Sequence, residues 1–194
     1  MQRTVGLAYE GNRDLEAIKV IVQRLGEMFG YELNLSRHKR GVNNAHTAIL
    51  KYVTSFTQYM FDEAGVDFAF YFTDQDKDSA DRRRLIADKI EAYSIDYRER
   101  SFVGVPIPHF EKWLLVDEDV VKSVLHYDHT KPLEFSELSP KNQLQALVQC
   151  SEVDIFLDDA KIEIAKNMSF DKLKHARVGF DGLCDDVRRK LAGQ

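Results

Sequence analysis

A chain of 194 residues, 44% hydrophobic and 30% charged, has the length and apolar content of one folded domain, which excludes a disordered chain. Its net charge of −5 argues against a surface that binds nucleic acid all over, while allowing a local basic strip beside an acidic centre. No apolar run approaches the roughly 20 residues needed to span a bilayer. Met1–Thr4 leads into a strand-like run without the apolar segment of a signal peptide, so a cytoplasmic protein with no membrane association is expected. Cys150 and Cys184 read as thiols in a reducing compartment, and no Cys/His spacing supports a zinc cage.

The first half alternates strand and helix signals. Residues 4–9 read as a short buried strand. Residues 13–29 carry Leu15, Ile18, Val22, Leu25 and Met28 near the helical period, and Gly30 ends that segment. Tyr31, Leu33 and Leu35 alternate with polar residues as a second strand does. Residues 44–63 predict a helix with Ala45, Ile49, Tyr52, Val53, Phe56, Tyr59 and Met60 buried, and Gly65 closes it. The run 67–73 is almost wholly apolar and aromatic, as a central strand covered on both faces is. A basic helix over 80–94 and a strand over 101–105 follow.

This order predicts an α/β Rossmannoid core, with a mostly parallel sheet of about four strands and right-handed crossovers. The core spans 1–116, and 117–194 form a helical region packed on it. A helix is expected over 111–116 at the end of the core, and beyond it a helix over 119–125, a loop over 126–139, and a helix from Pro140 to about Cys150, with helical segments to the end.

Carboxylates stand where the predicted strands end. Glu10 closes the first run, Asp74 and Asp76 follow the third, and Glu111 follows the fourth after a Pro-containing turn. Strand ends of such a sheet converge on one edge, where ligands bind. Carboxylates crowd there without raising one another's pKa only if a cation lies among them, and hard oxygen donors suit Mg²⁺ or Mn²⁺. A calcium loop of the EF-hand type fits poorly, because Ser79 and Leu85 stand where its Gly and Glu belong. The bland alternatives are helix-start carboxylates for Asp14 and Glu111 and a solvated capping loop around Asp74–Asp78.

Glu10-Gly11 after the first strand and Asp74-Gln75-Asp76 after the third resemble the TOPRIM domain of topoisomerases, bacterial primases, recombination proteins and overcoming-lysogenization-defect nucleases. The resemblance covers roughly residues 4–116, and Asp14 matches an additional acidic position that the last of these use for metal. Glu111-Lys112-Trp113-Leu114-Leu115-Val116-Asp117 is similar to a stretch in small stand-alone TOPRIM-like proteins, which are often encoded beside an ATPase. The resemblance implies a metal-dependent nuclease with a partner ATPase in phage or mobile-element defence. The chain has no primase zinc module, no evident topoisomerase tyrosine and no Gly-x-x-x-x-Gly-Lys-[Ser/Thr] loop.

On that reading Glu10, Asp74 and Asp76 hold a cation, Asp14 and Glu111 complete a second position, and Lys77 holds a phosphate. Arg37, Lys39, Arg40 and Arg82 would contact the nucleic-acid backbone, with DNA expected ahead of RNA, and a homo-oligomer is compatible. His109 reads either as a proton relay or as a structural helix-entry residue. The competing expectation is a catalytically silent TOPRIM-fold module that regulates or binds a partner. A phosphatase of the haloacid-dehalogenase type fits poorly, because its Asp-x-Asp follows the first strand and this one follows the third.

Overall fold

The computed structural model describes residues 2–40, 48–75 and 81–191, without the side chains of residues 12, 36–40 and 48. Four strands, β1 (Gln2–Tyr9), β2 (Glu32–Arg40), β3 (Phe68–Phe72) and β4 (Ser101–Gly104), form one sheet in the order β2-β1-β3-β4. Every neighbouring pair is parallel. The α/β class with a four-stranded parallel sheet is therefore as the alternating runs predicted.

Helix α1 (Leu15–Glu27) connects β1 to β2, and α2 (Ala48–Gln58) with a following π turn (Tyr59–Glu63) returns the chain to β3. Helix α3 (Arg82–Tyr93) and the short α4 (Ile95–Glu99) lead to β4. The chain moves outward from β1 to β2, then reverses past β1 to β3. Right-handed crossovers place connections running in opposite directions on opposite faces, and the core divides accordingly. Leu7, Phe68, Phe70 and Phe102 pack in the cluster that contains α1, whereas Ala8, Ala69, Tyr71 and Val103 pack in the cluster that contains α2 and α3. This period-2 division explains the unbroken apolar run of β3, which has a core on each side.

Beyond β4 come α5 (Phe110–Leu115), α6 (Glu118–Leu125), α7 (Pro140–Gln149), α8 (Leu157–Asn167), α9 (Phe170–His175) and α10 (Phe180–Leu191). They join the α1 side of the sheet, so the helical half shares one core with it. Trp113 is fully buried there, edge-on to Phe72 and Phe180, and its indole N–H donates to the Val178 carbonyl at 2.7 Å. Trp113→Phe keeps most of that apolar surface but orphans the carbonyl, at a cost of roughly 1–3 kcal/mol in denaturant unfolding. An unchanged midpoint would show that water satisfies Val178 instead. Gly179 has φ +86°, and a Cβ there would collide with the Val105 carbonyl, so the α10 entry packs directly on the β4 exit.

Three sequence expectations are corrected. Arg37, Lys39 and Arg40 lie within β2, paired with Gly6, Ala8 and Tyr9, past the alternation Tyr31–Leu35 that marked this strand in the sequence. The reason is that β1 offers backbone partners as far as Tyr9, so pairing outlasts the apolar alternation. Met28 caps α1 half-exposed rather than burying itself. Helix α4 went unforeseen because only five residues form it, started by the Ser94 hydroxyl accepting from the Tyr97 N–H. The expected helical residues 44–47 lie outside the described residues. No helix among the described residues is long and apolar enough to cross a membrane.

Candidate functional site

Strand order reverses between β1 and β3, and the register sets Tyr9 beside Phe72 at their carboxyl ends. The residues that follow, Glu10 and Thr73–Asp74, therefore meet at the switch point of the sheet, where α/β folds bind ligands. The Thr73 hydroxyl donates to Glu10 Oε1 at 2.7 Å, and the Asp74 N–H approaches Glu10 Oε2 at 3.4 Å. One Asp74 carboxylate oxygen accepts the Phe110 N–H at 2.9 Å, and the other lies 3.4 Å from His109 Nδ1. Four contacts thus orient the two carboxylates, whose oxygens keep further acceptor capacity.

Beside them lies a cavity of about 20 Å³ lined by Glu10, Gly11, Asp14, Thr73, Asp74 and Phe110, among others. That exceeds the roughly 10–15 Å³ needed for a water-sized occupant. Gly11 brings the turn close: a Cβ there would run into the Asp14 carboxylate. The turn is a single 3₁₀ turn, Asn12–Asp14, and the Asp14 N–H donates back to the Gly11 carbonyl.

Asp14 and Glu111 have a partner that the sequence reading did not name. The Lys161 ammonium donates to Asp14 Oδ1 at 2.6 Å and to Glu111 Oε1 at 2.8 Å. Its side chain is 4% exposed and that of Glu111 is 8% exposed, so this pair is almost dry, while Asp14 keeps 20% of its side-chain exposure. Burial pushes the Asp14 carboxyl above its ordinary value, with Lys161 opposing the shift and Glu111 adding to it. For Lys161, burial acts against the charge, but the two carboxylates prevail and raise its pKa. Two carboxylates sharing one ammonium account for both directions. Lys161 was legible in one respect: it falls in the buried stripe of α8 with Ala160, Ile164 and Ala165, where an unpaired lysine would not be stable.

The stretch Glu111–Asp117 divides its work. Glu111 faces Lys161, Trp113 and Leu114 are fully buried, and Asp117 clamps α9 by accepting from the Ser169 N–H at 2.9 Å and from Lys172 at 2.6 Å.

Arg82 is not the exposed phosphate contact that the basic run predicted. It is buried, and its guanidinium donates to the Asp74 carbonyl, which ties Asp74 to the start of α3. Arg83 pairs with Asp186 at 2.8 Å, leaving Arg84 as the outward member of the three, 3.7 Å from Asp88. One helical turn carries all three, and consecutive residues cannot share a face. Asp76 and Lys77, and the side chains of Arg37, Lys39 and Arg40, lie outside the described residues.

Among the described residues no three His, Cys, Asp or Glu side chains stand together as a metal-holding group. The donor set nonetheless fits a hard cation in kind, since Glu10, Asp14 and Asp74 all line one small cavity and offer only oxygen. The geometry thus defines an α/β protein with a carboxylate-lined site at its topological switch point. Comparisons of the chain with protein-family models, with curated proteins and with solved structures found no match.

Proposed function

We propose that this chain is a TOPRIM-like, Mg²⁺- or Mn²⁺-dependent nuclease that hydrolyses nucleic-acid phosphodiester bonds, DNA ahead of RNA, with a partner ATPase. The observation that carries the reading is the meeting of Glu10 and Asp74 at the β1/β3 switch point, with Asp14 on the same cavity. Asp76 follows two residues after Asp74 and supplies the further carboxylate of the proposed ligand set. A bound cation would polarise the phosphodiester and lower the pKa of a water.

The chain's own groups have definite tasks in this scheme. Thr73 and the Asp74 amide orient Glu10, while Phe110 N–H and His109 orient Asp74. His109, beside Asp74 and about one-third exposed, is placed to exchange a proton with solvent at the edge of the site. Lys161 holds Asp14 at the cavity and supplies a fixed positive charge where a second cation was expected to engage Asp14 and Glu111. That arrangement favours one exchangeable cation over two.

The competing reading is a catalytically silent regulatory or partner-binding module. Metal binding gives a test without turnover. A cation at about 100 times its dissociation constant stabilises the fold by about 2.7 kcal/mol, read as a rise in melting temperature. Glu10→Gln with Asp74→Asn is expected to remove that rise, and its persistence would place the cation elsewhere. Cleavage of DNA and RNA panels in Mg²⁺ or Mn²⁺, with and without an ATPase encoded beside this chain, tests the activity itself.

A further inference from the structure

The approach to α8 carries a surface that the proposed chemistry does not use. An open groove of about 620 Å³ is lined by Arg13, Val148, Glu152, Asp154, Phe156 and Leu157, among others. Phe156 is 78% exposed, more than any other large apolar side chain among the described residues. It is held in place, because it is the N-cap of α8 and its carbonyl accepts the Ala160 N–H at 2.9 Å. Val153, Ile155 and Leu157 are partly buried, whereas Glu152, Asp154 and Phe156 between them are exposed. The segment thus presents one aromatic ring flanked by carboxylates.

Asp158 and Asp159 continue that charge into the first turn of α8, and both are exposed. None of these four carboxylates has an ion-pair partner among the described residues. Arg13 is the one cation among the residues lining the groove. A nucleic-acid strand would set its phosphates against this rim, so base stacking on Phe156 is disfavoured. The complementary occupant has an apolar side chain for the ring and cations for the rim.

We propose that this groove docks a basic amphipathic segment of a partner protein. An apolar residue seats against Phe156, and Lys or Arg side chains engage Glu152, Asp154 and the two aspartates of the α8 start. The inference is independent of the nuclease reading, since neither Phe156 nor the four carboxylates belongs to the proposed site. The location still couples the two regions. Arg13 lies in the turn that carries Asp14, and α8 carries Lys161, so an occupant bears on both ends of the Asp14–Lys161 contact.

Fluorescence anisotropy with three labelled probes tests the proposal: a short helical peptide with a Leu stripe and a Lys/Arg face, the same peptide with Glu for Lys/Arg, and a single-stranded oligonucleotide. The full chain is compared with Phe156→Ser and with Glu152→Lys/Asp154→Lys, all exposed positions, and circular dichroism confirms folding. The basic peptide is expected to bind the wild type and to lose about 10-fold or more in either variant, with no binding of the acidic peptide. Absent binding of the basic peptide, or equal affinity for Phe156→Ser, would overturn the proposal. So would oligonucleotide binding that falls with Phe156→Ser, which would reassign the ring to base stacking.

Discussion

Lys161→Met is expected to destabilise the fold by roughly 3–5 kcal/mol, a fall of roughly 6–20 °C in melting temperature for a chain of this size. The substitution fills similar space but leaves Asp14 and Glu111 facing each other in a nearly dry pocket without their cation. Without the ammonium that opposes the shift, the Asp14 carboxyl moves further above its unfolded value of about 3.9. A carboxyl whose folded pKa is raised gives stability that is present below the unfolded value and lost as pH rises through the folded one. The variant therefore loses stability more steeply than the wild type as pH rises above about 4, because the wild-type ammonium opposes the upward shift of Asp14. Adding Glu111→Gln to Lys161→Met recovers part of the loss, because one buried charge has been removed, so the two changes are non-additive. Thermal unfolding of the wild type, Lys161→Met, Glu111→Gln and the double variant at acid and neutral pH measures this. A pH-independent loss in Lys161→Met would mean that packing, not charge, sets the value of the triad.

Glu10→Gln and Asp74→Asn are each expected to lower metal-dependent cleavage by more than about 100-fold while leaving the fold intact. Outer-shell partners of a metal already cost about 10–100-fold when removed, and these two carboxylates are proposed as ligands themselves. Glu10 and Asp74 are partly exposed, and the Thr73 hydroxyl, the Asp74 N–H and the Phe110 N–H donate to carboxylate oxygens that an amide oxygen can replace. Lys39→Ala has a different signature: binding weakens across all sequences and the salt dependence of log K falls by about one phosphate contact. The two effects separate in single-turnover cleavage at saturating enzyme, where Lys39→Ala recovers its rate and Glu10→Gln does not. Equal cleavage by wild type and Glu10→Gln would assign the activity to a contaminant. No cleavage under any condition, alone or with the proposed partner, would leave the silent module as the reading.

The sequence by itself determined the sheet and where its acidic edge would lie. Period-2 and period-3.6 patterns are local, so the order of the four strands and the longer helices between them could be read before any contact was known, the five-residue α4 excepted. The unbroken apolar run Phe68–Phe72 already required cover on both faces, and the two core clusters supply it. Glu10 and Asp74 were legible because strand ends in such a sheet must share an edge, and the hydrogen bonds around Glu10 join them there.

What the pattern could not determine lies in contacts between distant segments. Lys161 is 147 residues from Asp14 and 50 from Glu111 along the chain, and no local period relates them. Only the packing of α8 against α1 brings its ammonium to the carboxylates, where desolvation makes the pairing obligatory. Arg82 shows the converse, since three consecutive arginines predict a solvated basic face. Folding buries the first against the Asp74 carbonyl, engages the second with Asp186 and leaves the third outward. Charge is read from sequence as a property of residues, but its use is decided by how much water each one keeps after folding.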